Sequence, residues 1–390
     1  MVEARDDNAD APIRLGMVGG GEGAFIGAVH RMAARLDGHY QLVAGALSAD
    51  PDKARRSGAA LGLDPARCYG DFVAMARAEA ARKDGIEAVA IVTPNHMHAP
   101  VAHAFLEAGV HVICDKPLTT TLEDARRLAA AAERSGLVFC VTHNYTGYPM
   151  VRQARAMIAA GELGDIRVVQ VEYPQDWLTT DLESTGQKQA AWRTDPARSG
   201  AGGCIGDIGT HAYNLADFVT GLELKELSAD LTTFVPGRRV DDHVQIMLRY
   251  ANGARGLLWA SQVAPGNENN LKLRVYGTRG GLEWRQEEPN ALCYTPFGEA
   301  SRRLTRGSGG VGPAAARVTR IPGGHPEGYL EAFATIYAEA AAAIRAARAG
   351  RAPPPDVVYP GVGDGVKGVA LIEAALRSSA ANGQWMTLAR

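Results

Sequence analysis

The sequence predicts an α/β protein in which an N-terminal doubly wound parallel sheet is followed by an α+β domain with a large open, mostly antiparallel sheet. From Ile13 to about Tyr145, short continuous apolar runs alternate with amphipathic stretches, as in a parallel sheet covered by helices on both faces. After Tyr145, apolar residues recur with the period of two that is typical of antiparallel strands. The length of 390 residues also exceeds what one core of about 250–300 residues accommodates. We therefore expect domains over 13–145 and 146–390, after a polar, disordered leader at 1–12.

The first domain is expected to alternate strands and helices. The apolar runs that predict strands are Ile13–Gly19, Gln41–Ser48, Glu87–Thr93, Val110–Cys114 and Val138–Thr142. The amphipathic stretches that predict helices are Ala28–Leu36, Asp50–Leu61, Met97–Ala108 and Thr121–Ser135. Thr120 or Thr121 is a suitable N-cap for the last of these, since acidic residues fill the turn that follows.

The second domain is expected to begin with a helix near Pro149–Ala160. The segments with strand character are Ile166–Tyr173, Leu227–Phe234, His243–Tyr250, Ala254–Val263, Leu271–Gly277 and Ala291–Thr295. Glycine-containing turns at 251–253 and 278–281 predict hairpins. Helices are expected over Asp207–Val219 and Gly328–Ala349, and Gly298–Ala316 is expected to be a mobile loop.

Composition excludes several classes of protein. A formal net charge of -2 with 22% charged residues gives no basic excess for nucleic-acid binding. No apolar run approaches the ~20 residues that span a bilayer. The five cysteines are widely spaced, which predicts reduced thiols in a cytoplasmic protein. No cluster of histidine and acidic residues has the spacing of metal ligands, so we expect no metal.

A glycine-rich turn follows the first predicted strand. The sequence Gly19-Gly20-Gly21-Glu22-Gly23-Ala24-Phe25-Ile26-Gly27 lies where the backbone of a doubly wound fold approaches a dinucleotide pyrophosphate. It spans three residues more than the usual fingerprint, and a purely structural turn is the alternative. The second strand ends at Ser48 instead of the usual acidic residue, with Lys53 nearby. NAD and NADP both stay open at this point, and Asp50 favours NAD.

Asp207 and His211 are four residues apart just after a glycine pair. If the segment is helical, both side chains lie on one face and can reach one substrate. Imidazole titrates near neutrality, so His211 can take the proton of an alcohol while Asp207 orients it. A solvated or core-satisfied pair is the alternative.

Three further segments accompany these features. They are Thr93-Pro94-Asn95-His96-Met97-His98, Cys114-Asp115-Lys116-Pro117 and the stretch from Gly202 to His211. With the glycine loop, they make the chain resemble the Gfo/Idh/MocA family of nicotinamide-dependent sugar and polyol oxidoreductases, from about Ile13 to Leu388. The segments 23–30 and 325–329 resemble those of inositol dehydrogenases, nearest to the scyllo-inositol dehydrogenases that also oxidise L-glucose.

The resemblance implies Lys116, Asp207 and His211 as catalytic residues. Two positions depart from the family pattern. Asp115 replaces the usual glutamate before the lysine, and Thr146 stands where many members have an arginine. Substrate contacts at Thr146 are therefore not carried over.

The resemblance also implies NAD as cofactor, with NADP as the alternative, and a homo-oligomer, a dimer or tetramer. The implied cofactor contacts are Gly19, Gly21, Ala24, Phe25, Ile26, Ser48, Lys53, Thr93, Pro94, Asn95, His98, Asp115, Lys116, Asn144, Trp192 and Arg193. The implied substrate contacts are Lys116, Tyr145, Gln175, Arg193, Asp207, His211 and His325. The alternatives are that Asn95 and His98 only cap a helix, that Trp192 and Arg193 pack on the sheet, and that His325 is an ordinary loop residue.

The function expected from these features is oxidation of a secondary hydroxyl of a cyclic polyol or pyranose sugar. Such a reaction needs a hydride acceptor, a base and a group that stabilises alkoxide character. Lys116 follows the carboxyl end of a parallel strand, where this class of sheet binds ligands. A glycosidase that oxidises its sugar transiently with bound NAD and a non-catalytic dinucleotide-binding regulator are the two alternatives.

Overall fold

The computed structural model describes residues 11–388, which divide into two compact units. The first unit contains residues 11–119, Glu123–Thr142 and Phe333–Gly365. The second contains Thr120–Leu122, His143–Ala332 and residues 366–388. Apart from its last two positions, the leader expected at 1–12 lies outside the described residues.

The first unit contains a parallel sheet, as the sequence predicts. Over the described residues its strands are β1 (Ile13–Gly19), β2 (Tyr40–Ala46), β3 (Ala88–Val92), β4 (His111–Cys114) and β5 (Phe139–Val141), in the order β2-β1-β3-β4-β5. The helices after these strands are α1 (Phe25–Leu36), α2 (Pro51–Ala60), α3 (Phe72–Ala80), α4 (His98–Glu107) and α5 (Leu122–Ser135). The doubly wound fold class is confirmed. Helix α3 was not predicted, because its alanines and charged residues give no clear apolar stripe.

The order of the strands determines where a ligand can bind. Strand β2 lies on one side of β1, and β3, the next strand in the chain, lies on the other side. The direction in which strands are added therefore reverses at β1, which is the switch point of the sheet. The loops after β1, β3 and β4 emerge at the same edge, because all three strands run parallel. Every residue of β3 is buried, which explains why its sequence is a continuous apolar run.

Residues 333–365 belong to the first unit, although the sequence placed everything after residue 145 in the second domain. The reason is the packing of Tyr337, which is 1% exposed. Its hydroxyl lies 2.8 Å from Nδ1 of His30, and its carbonyl accepts a hydrogen bond of 3.0 Å from the Tyr40 hydroxyl. These partners lie about 300 positions earlier in the chain, where no local pattern points to them.

The second unit is built on a large sheet. Within residues 11–388, its strands are β6 (Ile166–Pro174), β7 (Leu224–Thr232), β8 (His243–Tyr250), β9 (Arg255–Ser261), β10 (Lys272–Gly277), β11 (Gly280–Arg285), β12 (Ala291–Pro296), β13 (Arg302–Thr305) and β14 (Met386–Thr387), in the order β13-β12-β11-β10-β6-β9-β8-β7-β14. Strands β6 and β9 pair parallel, and within residues 11–388 the other neighbouring strands of this sheet pair antiparallel. The prediction of a mostly antiparallel sheet is confirmed.

The remaining helices include α11 and α12, which contribute residues to both units. The helices are α6 (Pro149–Ala159), α7 (Lys188–Arg193), α8 (Pro196–Ser199), α9 (Thr210–Thr220), α10 (Pro313–Ala316), α11 (Tyr329–Arg348) and α12 (Val362–Ala380). The core of the second unit forms where α6 and α9 pack on one face of the sheet. In the described part of the chain, no helix has the length and apolarity needed to cross a membrane.

The segment Gly298–Ala316 is more ordered than the sequence suggested. It was expected to be a mobile loop, but it contains β13 and α10. Leu304 of β13 pairs with Leu292 of β12, and Ala315 of α10 is fully buried. The polar composition concealed these contacts, because only a few apolar side chains anchor the segment.

Candidate active site

The glycine loop packs tightly against the helix that follows it. Gly20 has a φ of 72°, in the left-handed region that favours glycine. A Cβ on Gly27 of α1 would lie 2.4 Å from the Gly20 Cα atom, so neither position has room for a side chain. The backbone N–H of Gly21 donates to the Leu47 carbonyl at 3.1 Å, and that of Glu22 donates to the Ser57 hydroxyl at 3.0 Å. The longer loop is therefore fixed on the neighbouring strand and helix.

The loop leaves a suitable place for a pyrophosphate. Helix α1 begins at Phe25, earlier than the expected Ala28, and its N-cap residue Ala24 provides no side-chain acceptor. The N–H groups of its first turn can therefore receive an anion, which the helix dipole also favours. The buried Thr93 hydroxyl oxygen, at the end of β3, has no hydrogen-bond partner among the described residues. These features fit a bound dinucleotide.

Asp50 caps the helix that follows β2. Its carboxylate accepts hydrogen bonds from the backbone N–H groups of Asp52 at 2.9 Å and Lys53 at 3.2 Å, so it is the N-cap of α2. The Ser48 hydroxyl accepts from the Asp50 N–H at 3.1 Å. A negative charge thus stands beside Ser48, where a ribose is expected, and it disfavours a 2′-phosphate.

Lys116 lies on a loop that is fixed by its neighbour. The Asp115 carboxylate accepts from the Lys116 N–H at 2.8 Å and from the Thr142 hydroxyl at 3.1 Å. The Asp115 N–H donates to the Ile91 carbonyl at 3.0 Å, and the bond between Lys116 and Pro117 is cis. The shorter acid at position 115 therefore binds its own loop and the adjacent strand end.

His98, which the resemblance implies as a cofactor contact, lies in the interior of the first unit. Its side chain is completely buried, and both ring nitrogens lie against backbone carbonyl oxygens. These oxygens belong to Thr93 and Pro117, on the loops after β3 and β4. His98 therefore bridges these two loops from a position with no exposed surface.

The helix that carries Asp207 and His211 starts with a wider turn than the sequence predicted. Residues Ile205–Gly209 form a π-helical turn, and α9 continues from Thr210. The Asp241 carboxylate holds this start, accepting from the N–H groups of Gly203 at 2.7 Å and Ile205 at 2.8 Å. Such π turns often occur at functional sites.

The Asp207 carboxylate lies in a polar cluster of the second unit. It accepts a hydrogen bond of 2.9 Å from the Gln262 side chain and lies 3.3 Å from the Arg193 guanidinium. The Arg193 guanidinium also lies 4.3 Å from the Trp192 ring centroid, so the aromatic face and the carboxylate orient it together. The cluster presents both donors and acceptors, as recognition of hydroxyl groups requires.

Aromatic rings surround His211, which is 7% exposed. The Tyr145 ring centroid lies 4.8 Å away, that of His143 5.5 Å and that of Tyr173 6.4 Å, all edge to face. We call His143, Tyr145 and Tyr173 the aromatic cage. The cage restricts the imidazole to one orientation.

Hydrogen bonds extend from the cage to Asn269. The hydroxyls of Tyr145 and Tyr173 bond to each other, and Tyr173 donates to the Asn269 side-chain oxygen at 2.7 Å. The Gln175 side chain donates to the same oxygen at 2.6 Å. Burial raises the pKa of both tyrosines, so both hydroxyls stay protonated at neutral pH.

Three further positions that the sequence analysis noted have different surroundings. His325 lies in an exposed turn, and its backbone carbonyl oxygen accepts a hydrogen bond from the Arg306 guanidinium. The ring centroids of Tyr329 and Tyr145 lie 6.4 Å apart. Thr146 is fully buried and donates to the His143 carbonyl at 2.9 Å, which stabilises the turn at Asn144–Gly147. Thr146, at the position where many family members have an arginine, therefore stabilises this turn through its side chain.

Two family models and several solved structures are similar to this chain. Residues 13–143 match the family model "Oxidoreductase family, NAD-binding Rossmann fold", and residues 151–283 match the GFO/IDH/MocA C-terminal domain. A solved oxidoreductase from Sinorhizobium meliloti is 59% identical, with a TM-score of 0.88 over 96% of this chain and 99% of that chain. The chain belongs to the Gfo/Idh/MocA oxidoreductase family.

Two other Gfo/Idh/MocA relatives have more specific names. An inositol dehydrogenase homolog from Azotobacter vinelandii, solved with NADH and myo-inositol, is 39% identical, with a TM-score of 0.90 over 96% of this chain and 97% of that chain. A levoglucosan dehydrogenase from Pseudarthrobacter phenanthrenivorans is 32% identical over 77% of this chain and 80% of its own length. The predicted family, Rossmann fold, oxidoreductase class and NAD cofactor are confirmed.

Sequence reasoning did not point to several residues that surround or support Asp207 and His211. They are His143, Tyr173, Asp241, Gln262 and Asn269. His143 lies two positions before the noted Tyr145 and could have been found from that position. The others lie in or beside strands of the second unit without a motif, so the sequence carried no signal for them.

Asp241 makes the stability of this site depend on pH. Burial raises the pKa of its carboxyl to about 6, although the N–H groups of Ile205 and Gly203 act in the opposite direction. The unfolded value is ~3.9, so ionising Asp241 in the folded chain costs about 3 kcal/mol. Its contribution to stability is complete in acid and is lost as the pH rises through 6.

We expect this loss to be absent in Asp241→Asn, which cannot titrate. Between about pH 4 and pH 8, the free energy of unfolding of the wild type should fall by about 3 kcal/mol relative to that of the variant. Urea unfolding at several pH values measures the difference. A difference that stays constant with pH would contradict the assignment.

Proposed function

We propose that this oxidoreductase oxidises a secondary hydroxyl of a cyclic polyol or pyranose sugar to the ketone, with His211 as the general base. The observation that carries the proposal is the arrangement around His211: a nearly buried imidazole in an aromatic cage, on the same helical segment as Asp207. The named ligands of two relatives, myo-inositol and levoglucosan, support this substrate class. Scyllo-inositol and L-glucose are further candidates from the sequence resemblance.

His211 takes the proton of the reacting hydroxyl. A base that titrates near neutrality can both accept this proton and release it again after turnover. The aromatic cage keeps the ring in one orientation, so the ring does not have to be ordered when substrate binds. Asp207 adds negative charge on the same segment, which stabilises the imidazolium that forms.

The polar cluster next to this segment recognises the other hydroxyls. Asp207 accepts and Arg193 donates, and the two groups lie 3.3 Å apart. Neighbouring hydroxyls of a sugar or polyol can pair with both, since each hydroxyl is donor and acceptor at once. Asn269 and Gln175 supply further polar atoms beside the cage.

Lys116 provides a positive charge at the end of β4. We assign it to the reacting oxygen, where an ammonium group stabilises developing alkoxide character. NAD, when bound, supplies the hydride acceptor. The uncapped start of α1 would hold its pyrophosphate, and Ser48 and Asp50 would lie beside its ribose hydroxyls.

Formation of NADH tests the proposal. The protein should reduce NAD with one or more members of a panel of myo-inositol, scyllo-inositol, levoglucosan, L-glucose and D-glucose, and the ketone should form in equal amount. Nitrophenyl glycosides run in parallel detect the glycosidase alternative. Release of nitrophenol without net NADH would replace the proposed reaction by hydrolysis, and inactivity toward both sets would favour a regulator.

A further inference from the structure

His98 connects two loops of the first unit from inside the protein. It is the first residue of α4 and is fully buried. Its Nδ1 lies 2.8 Å from the Pro117 carbonyl oxygen, and its Nε2 lies 3.0 Å from the Thr93 carbonyl oxygen. One imidazole thus spans the loop after β3 and the loop after β4.

The bond to Pro117 is the stronger of the two. Burial lowers the pKa of His98, whereas the Asp115 carboxylate and the two carbonyls raise it. A neutral ring has a single N–H group, and the shorter, fully buried contact is the one to Pro117. The ring donates to Thr93 as well when both nitrogens carry hydrogen.

This bond fixes the residue that follows Lys116. On one side the Asp115 carboxylate binds the Lys116 N–H, and on the other His98 binds the Pro117 carbonyl. The backbone around Lys116 is therefore held at the Lys116 N–H group and at the Pro117 carbonyl group. A shift of about 1 Å in a reacting group can reduce catalysis ~10²-fold, so such a support has kinetic consequences.

We propose that His98 is a positioning residue, whose Nδ1–H bond to the Pro117 carbonyl places Lys116 for catalysis. This inference rests on the proposed function, in which Lys116 acts on the reacting oxygen. His98 itself touches neither substrate nor cofactor, since its side chain has no exposed surface.

Three substitutions separate the bond from simple packing. His98→Asn keeps an N–H donor near the place of Nδ1, His98→Gln extends its donor toward the place of Nε2, and His98→Phe keeps the ring volume without a donor. The wild type and the three variants are compared in kcat with the panel substrates, in Kd for NAD and in crystal structures. Lys116→Met is measured in parallel.

We expect His98→Gln and His98→Phe to lower kcat by ~10–10²-fold, and His98→Asn to restore most of this loss. The Kd for NAD should change by less than about threefold in all three variants. The crystal structures should show the Lys116–Pro117 loop displaced in His98→Phe and in place in His98→Asn, a readout that requires no substrate.

Other outcomes separate failure of this inference from failure of the proposed function. If Lys116→Met is inactive but His98→Phe matches the wild type with its loop in place, the role of His98 is disproved. Equal losses of kcat and NAD affinity in all three variants would also overturn it, because they indicate general disorder of the unit. If Lys116→Met is fully active, Lys116 does not act on the reacting oxygen, and this part of the proposed function is wrong.

Discussion

Replacement of His211 by alanine is expected to lower kcat for alcohol oxidation by ~10²–10⁴-fold, the usual contribution of general acid–base catalysis. Alanine cannot accept the proton of the hydroxyl, and the imidazole that it replaces lies nearly buried in the aromatic cage. The Kd for NAD should stay nearly constant, because His211 belongs to the second unit and the glycine loop to the first.

The matched control is His243→Ala. His243 is also a partly buried histidine of the second unit, but it lies on β8 and packs with Phe234 and Trp259. Its replacement should leave kcat close to that of the wild type. Near wild-type oxidation by His211→Ala would exclude His211 as the base and require another proton acceptor.

The first unit was predictable because its signals are local. A parallel strand that is buried on both faces has a continuous apolar sequence. For this reason β1 was predicted with the ends that the structure shows. The glycine loop follows that strand directly. By contrast, the contacts of Tyr337 with His30 and Tyr40 join segments about 300 residues apart, and no local pattern specifies them.

The site was predictable only where motifs mark it. Asp207 and His211 stand out by their spacing, but the π turn that carries Asp207 and leads into the helix of His211 is held by Asp241, 38 residues away from Gly203. Asn269 reaches Tyr173 because β10 pairs with β6 in one particular register. Strand register is a property of the whole sheet, so a single segment cannot reveal it.

Lys116→Ala is expected to lower kcat by ~10²–10³-fold, as loss of a donor to a developing oxyanion does in other enzymes. Lys116→Arg should recover only a small part of this loss, because a planar guanidinium cannot place one donor at the position of the ammonium group. Lys83→Ala serves as the matched control, since Lys83 is an exposed lysine of the same unit. Its kcat should equal that of the wild type.

The double variant Lys116→Ala/His211→Ala tests whether the two residues serve one step. If Lys116 stabilises the oxygen from which His211 removes the proton, removing the second residue costs little once the first is gone. The kcat of the double variant should then be only slightly below that of the slower single variant. A double-mutant cycle on kcat measures this departure from multiplicative losses. Multiplicative losses would show that the lysine and the histidine act in separate steps, and Lys116 would then have to be reassigned to binding.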